Sequence, residues 1–326
     1  MDDPKDIRPL SLSGLRTCSL ADRQSKVSVD SFARPWGAGG TFSDFLDRLP
    51  GILAGNDVKE VVGAMARAAK GGRPVIFAMG AHVIKAGLSP VVIDLMERGV
   101  ITAVAMNGAG IVHDSEVAMA GKTSEDVAAV LGTGDFGVAR ETGCFAAEAV
   151  RRAGEGSLGL GRAAGQLLLS GGHPHADKSI LAAGARLGIP VTVHVALGTD
   201  IVHMHPDFDP AAAGAASHLD FRILAGAVAR LEGGVHINAG SAVILPEVFL
   251  KALSLARNLG HPVRRFTAVN LDFIRHYRPM TNVVSRPTAE GGRGIFLCGH
   301  HEILLPLIAA GVIEELDRPA PSNPQG

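Results

Sequence analysis

The stretch GGVHINAGSAVILPEVFL, residues 233–250, decides the fold. Val235, His236 and Ile237 form an apolar run, Ala239, Gly240 and Ser241 make a turn of small residues, and a helix-like pattern follows. A strand that turns through small residues into a helix lets backbone N–H groups come close to a ligand. Beyond the turn stand Ile244, Leu245 and Pro246, and none of these side chains can act as acid, base or nucleophile. The pattern predicts a backbone cradle with no chemistry of its own.

The same unit recurs. RPVIFAMG (73–80), ITAVAMNGAG (101–110), IPVTVHVALGTD (189–200), RRFTAVNLD (264–272) and RGIFLCGHH (293–301) are each an apolar run bounded by small or polar residues. Helical stretches separate most of them; one opens on Ser89 as N-cap with Pro90 at its first position. Residues 41–70 read as two helices. The alternation predicts an α/β fold, a doubly wound and mostly parallel sheet of about six strands with helices on both faces. In such a sheet ligands bind beyond the carboxyl ends of the strands. The residues that follow the runs should then gather there: Ala81 and His82; Asn107, Gly108, Ala109 and Gly110; Thr199 and Asp200; Asn238, Ala239, Gly240 and Ser241; Asn270 and Asp272; His300 and His301.

The chain has 326 residues, which suits one α/β domain over residues 41–318, an irregular N-terminal arm over residues 1–40 and a disordered tail over 319–326. It is 47% hydrophobic but only 4% aromatic, so its apolar volume comes from Ala, Val, Leu and Ile, as in helices packed on a parallel sheet. A formal net charge of -1 gives no electrostatic case for nucleic acid or an anionic membrane as partner. Cys18, Cys144 and Cys298 form no CxxC pair, which suits a reducing compartment. The opening MDDPKDIRPL lacks an apolar core, and no apolar run reaches the roughly 18 residues that span a bilayer. The expectation is a cytoplasmic protein.

Four motifs invite chemistry. GLGRAAG (159–165) has glycines but no strand before it, so it fails the context of a dinucleotide fingerprint and reads as helix. VHMHPDFDP (202–210) alternates His203, His205, Asp207 and Asp209; in an extended segment these face one side, and imidazole with carboxylate can hold a divalent metal. A metal-dependent enzyme, such as a hydrolase, is the alternative that this segment keeps open. GGHPHADKS (171–179) reads as a loop with Asp177 or Ser179 near a helix start. RHYRPMTNVVSRP (275–287) reads as irregular, and its Arg275, Arg278 and Arg286 could clamp a carboxylate or phosphate or pair with acids at an interface.

With these turns laid out, residues 40–316 resemble the deoxyhypusine synthase family. The stretch VIFAMGAHVIKAGLSPVVIDLMERGVITAVAMNGAGIVHD resembles that family's strand, polar turn and helix leading to a strand that ends in an Ala-Gly-Gly-Val-Glu-Glu-Asp run. SILAAGARLGIPVTVHVALGTD, GGVHINAGSAV and FLCGHHEILLPLIAA are similar to its later segments in order and spacing. The resemblance implies an NAD-binding fold, a homotetramer, and sites at subunit interfaces. In that family NAD oxidises spermidine, and a lysine carries the butylamine group as an imine, which requires a neutral amine.

The family's Ser-Trp-Gly-Lys run falls, counting back from His300, on Pro287, with no Trp or Lys nearby. Its Lys-His after the Gly-rich turn is Ile244-Leu245 here, its acidic run is reduced to Val112-His113-Asp114, and its cofactor-contacting Asp-Ala is His300-His301. Arginine stays protonated and cannot replace the lysine. Of Lys85, Lys178 and Lys251, only Lys85, one turn past Ala81-His82, is placed to approach the site. Deoxyhypusine is therefore not the expected product. The expectation is an NAD-dependent enzyme acting on a small amine- or carboxylate-bearing substrate. His300, His301 and Asp272 are its acid–base candidates, and the turns at Asn107–Gly110 and Asn238–Ser241 its cofactor cradle. A non-catalytic relative that keeps the fold for binding or assembly is the remaining alternative.

Overall fold

A computed structural model describes residue 5 and residues 7–318, so the tail expected at 319–326 lies outside the described residues. In chain order the elements are α1 (Phe42–Arg48), α2 (Leu53–Lys70), β1 (Val75–Met79), the short α3 (His82–Lys85), α4 (Ser89–Glu97), β2 (Ala103–Asn107), α5 (Gly108–Ala120) and the short α6 (Val127–Val130). There follow α7 (Arg140–Gly156), α8 (Leu160–Ser170), α9 (Ile180–Leu187), β3 (Val191–His194), α10 (Pro210–Val228) and β4 (Val235–Ala239). The chain closes with α11 (Ile244–Asn258), β5 (Thr267–Asp272), the single turn α12 (Tyr277–Pro279), β6 (Arg293–Cys298) and α13 (His301–Asp317).

Each of the six apolar runs is a strand, and the six form one all-parallel sheet in the order β3-β2-β1-β4-β5-β6. Parallel strands covered on both faces carry apolar side chains on both, which is why they read as continuous runs. β1 shows the division: Val75, Phe77 and Met79 enter one core, with α2, α4, α5, α8 and α13. Ile76 and Ala78 enter a second, closed by Leu224 and Val228 of α10 and Phe249 and Leu253 of α11. Alternate residues of a strand point to opposite faces.

The order reverses between β1 and β4, and this is the topological switch point of a doubly wound sheet. There Gly80 N–H donates to the Ala239 carbonyl at 2.9 Å. A methyl group on Gly80 would overlap the Gly240 carbonyl oxygen, so the two chain segments touch because one of them has no side chain.

The glycines of GLGRAAG have a packing role. Asp220 of α10 accepts the N–H of Gly161 at 2.9 Å and that of Val193 at 2.8 Å, which pins the start of α8 to β3. A methyl on Gly161 would overlap the Val191 carbonyl oxygen. Gly161→Ala is expected to cost about 1–3 kcal/mol in urea unfolding, the usual price of overpacking; an unchanged midpoint would show that α8 can move away freely.

Two local expectations shift. Leu88, not Ser89, is the N-cap of α4; Ser89 is buried as its first residue and makes no cap hydrogen bond. The 275–287 stretch is not irregular: α12 runs into a wide helical turn over Met280–Ser285. Residues 7–40 carry one short 3-10 helix, Val29–Ser31, among turns and extended stretches, and Trp36 meets Phe45 edge-on. Among the described residues no helix is long and apolar enough to cross a membrane.

Candidate active site

Because every strand runs the same way, the turns named from sequence all lie at one edge of the sheet. They do different work. Asn238 and Asn270 face each other in register on β4 and β5, fully buried. The Asn238 amide donates to Asn270 Oδ1 at 2.7 Å and to the Ser241 carbonyl at 2.9 Å. Ser241 Oγ in turn accepts the Leu245 N–H at 3.2 Å. These residues, with buried Ala239, hold the opening turn in shape. Asp272, also buried, accepts the Ile274 N–H at 3.2 Å through one oxygen.

His300 and His301 lie past the end of β6, as the N-cap and first residue of α13, and separate sharply. His300 is exposed and stacks flat on Phe273, 5.8 Å between ring centroids. His301 is buried beneath Gly240, whose positive φ of 68° suits glycine and whose Cβ, if present, would stand 3.1 Å from the His301 ring. The His301 Nε2 lies 3.1 Å from the Leu271 carbonyl, which only accepts, so Nε2 carries the proton and Nδ1 a lone pair. Burial holds its pKa below the usual imidazole range, opposed by the Leu271 hydrogen bond and the nearby Asp272 charge. The exposed His82 ring meets His301 edge-on at 5.7 Å.

Among the described residues, the buried side-chain atoms left without a partner are Asn107 Oδ1, Asp200 Oδ2, His203 Nε2, Asn238 Oδ1, Asn270 Nδ2, His301 Nδ1 and both ring nitrogens of His236. All but those of His236 lie towards the carboxyl ends of the strands or in the turns beyond them, and Asp200 Oδ2 and His203 Nε2 stand 3.9 Å from each other. An orphaned buried polar atom costs about 1–3 kcal/mol, so this gathering fits a place where a ligand supplies the missing partners. Asn107 ends β2, the position whose side chain meets a ribose hydroxyl in dinucleotide-binding sheets, and it spends nothing on capping α5. Gly108, Ala109 and Gly110 open that helix, and Gly108 lies so near Asp200 that a methyl there would overlap the carboxylate. Thr199 is exposed and donates to the Ala196 carbonyl at 2.7 Å. Ala81 is buried below the mouth. The G-x-G-x-x-G fingerprint is absent after β1, where the chain reads Gly80-Ala81-His82. The residues fit a dinucleotide held by close backbone approach at the switch point.

The metal expectation does not hold. Residues Ile201–Met204 form a tight 3-10 turn, not an extended segment. That turn folds His203 back, and its Nδ1 accepts the Gly198 N–H at 3.0 Å. His205 points to Cys144, with Nε2 at 3.9 Å from its sulfur, and Asp207 is largely exposed. The alternation of His203, His205 and Asp207 therefore faces no common point, and among the described residues no three His, Cys, Asp or Glu side chains stand where they could hold a metal ion. The arginine clamp does not assemble either. Arg275 lies over the Phe296 ring, Arg278 donates to Glu247 at 3.2 Å, and Arg286 donates to Asn282 at 3.0 Å.

One cluster was missed from sequence. A cleft of about 230 Å3 opens beside the start of α5, lined among others by Lys85, His113, Glu116, Glu125, Phe136 and Asp200. His113 Nδ1 lies 2.6 Å from Thr123 Oγ1, which donates to Glu116 at 2.5 Å, and Thr142 donates to the other Glu116 oxygen at 2.9 Å. Burial lowers the His113 pKa; Glu116 opposes this and Lys85 adds to it. Residues three apart on a helix share a face, so the His113–Glu116 spacing was the available signal.

No protein-family model matches the chain, and no curated protein matches it in sequence. Solved structures do resemble it. A cysteine-to-alanine variant of AgrE bound to L-arginine superposes with a TM-score of 0.51 at 18% identity, over 80% of this chain and 33% of AgrE. AgrE with ornithine and NAD+ gives 0.48 at 15% identity, over 80% and 32%. A protein described as a putative deoxyhypusine synthase from Entamoeba histolytica gives 0.49 at 11% identity, over 86% of this chain and 96% of its own. The chain thus spans about a third of the length of AgrE. Likeness at these identities concerns the fold: this is a doubly wound, parallel α/β protein. It does not extend to the particular deoxyhypusine synthase assignment.

Proposed function

We propose that this chain is an enzyme that binds NAD across the β1/β4 crevice and acts on a small amine- or carboxylate-bearing substrate. The observation that carries the reading is the switch point with its ring of orphaned polar atoms, Asn107 Oδ1, Asn238 Oδ1 and His301 Nδ1 foremost. AgrE, which shares the fold, has been seen with NAD+ and ornithine, and this supports the choice of ligand. Bound NAD would supply a hydride acceptor. The chain's own part is positional. Gly80 and Gly240 leave room at the crevice, Asn107 accepts a ribose hydroxyl, and the lone pair of His301 Nδ1, with His82 at the mouth, can receive a proton. No lysine stands where the deoxyhypusine imine would form, so that product is not proposed. Assembly into a homotetramer, which the family resemblance implies, belongs to the same proposal.

Titration calorimetry of EDTA-treated protein is expected to give saturable NAD binding near one per subunit. His82→Glu places a carboxylate at the exposed mouth, where it should repel the cofactor's phosphates and weaken binding on the order of tenfold, ~1.4 kcal/mol. No heat with wild-type protein up to millimolar NAD sinks the proposal.

A further inference from the structure

The cleft beside α5 has a composition that selects a ligand. Its charged lining comprises one lysine, Lys85, and three carboxylates, Glu116, Glu125 and Asp200. Glu116 is already engaged by two threonine hydroxyls and serves to hold His113. Glu125 accepts the Gly137 N–H at 2.9 Å with one oxygen only. The Asp200 side chain is 6% exposed, and its Oδ2 is one of the orphans. Among the described residues Lys85 has no carboxylate within ion-pair distance, although it lines the same cleft.

His113 completes the set. The Thr123 hydroxyl spends its one proton on Glu116, so its oxygen can only accept from His113. His113 Nδ1 must then be the donor, and Nε2 is left with a lone pair. Val112, Val127 and Phe136 add apolar lining to the same cleft. An apolar cavity of about 150 Å3 admits benzene, so a cleft of about 230 Å3 has room for a short aliphatic chain with a polar group at each end.

We infer that this cleft takes a short ω-amino acid, with its carboxylate on Lys85 and its ammonium among Glu125, Asp200 and the free nitrogen of His113. This deepens the function proposed above, and rests on it for the cleft's role as substrate pocket. The binding itself needs no NAD. The ammonium adds a cationic partner for the Asp200 carboxylate, whose Oδ2 makes no hydrogen bond and has the His203 ring 3.9 Å away, and the carboxylate gives Lys85 a partner. A simple amine or a simple carboxylate satisfies only half of the site.

The test is calorimetric titration of the full chain, without NAD, with 5-aminopentanoate, pentylamine and pentanoate. The amino acid is expected to bind saturably, and each half-ligand at least about tenfold more weakly, ~1.4 kcal/mol. Lys85→Met should remove the advantage of 5-aminopentanoate over pentylamine, and Glu125→Gln its advantage over pentanoate. Both side chains are exposed, so the variants should fold, which circular dichroism checks. Failure of the wild type to bind 5-aminopentanoate, or affinity unmoved by both substitutions, overturns the inference. NAD titration of the same samples separates the two readings. NAD binding without amino-acid binding sinks the pocket alone, and the converse sinks the dinucleotide site alone.

Discussion

Asp114→Ala is expected to lower stability by roughly 3–5 kcal/mol in urea unfolding, since charge-assisted hydrogen bonds contribute about 1.5–3 kcal/mol each and removing this carboxylate strands several buried donors at once. Asp114 is fully buried on α5. It accepts the Ser179 hydroxyl, the Ile180 N–H at 2.9 Å and the Leu181 N–H at 3.1 Å, and so caps α9 from another helix. Burial pushes its pKa up to about 6, against the lowering effect of those three donors. Between the ordinary 3.8 and about 6 the folded protein therefore keeps a proton that the unfolded chain releases. Stability from this group is fully present below that window and falls as pH rises through it. Asp114→Asn keeps an acceptor and cannot ionise. It should lose less than the alanine variant, and wild-type stability should decline relative to it between about pH 4 and 6 and level off above. An alanine variant within about 1 kcal/mol of wild type would mean that α9 finds its cap elsewhere.

That capping bond explains why part of the family likeness was legible and part was not. Asp114 and Ser179-Ile180 are pieces of the resemblance that survive here, and they touch each other to build the scaffold. The residues that depart from it, at Ile244, Pro287 and His300, are the chemical ones. The six strands were readable because a strand covered on both faces needs an unbroken apolar run, and the small residues after each run marked the carboxyl edge. Which side chains face the ligand was not readable. Spacing alone set His203 and His205 on one side of a strand, but the 3-10 turn at Ile201–Met204 changes the period and parts them. Local spacing also could not place Thr123 and Thr142 against Glu116, because those contacts depend on how loops and α7 pack on α5.

The remaining orphan, His236, is set apart from the site and should behave oppositely to the groups at the carboxyl edge. It sits near the start of β4, stacked on Phe249 at 3.6 Å, with neither ring nitrogen partnered. Burial pushes its pKa down to about 3. Leucine would fill similar space without polar nitrogens, so His236→Leu is expected to stabilise the fold by roughly 1–3 kcal/mol at pH 8, less about 0.5–1.5 kcal/mol for the lost ring stacking. The gain should grow in acid. Below the ordinary imidazole pKa of about 6.5 the unfolded chain takes up a proton that the folded one refuses, so wild-type stability falls as pH drops towards about 3. That linkage adds about 1.4 kcal/mol per pH unit below 6.5, or ~2 kcal/mol between pH 8 and pH 5. Urea unfolding at both pH values checks the sign, and a variant less stable than wild type at pH 5 refutes it. NAD titration should be unchanged in the variant, because the ring faces the second core and not the crevice. A loss of NAD binding there would mean that the strand carries strain from its core face to the turn at Gly240.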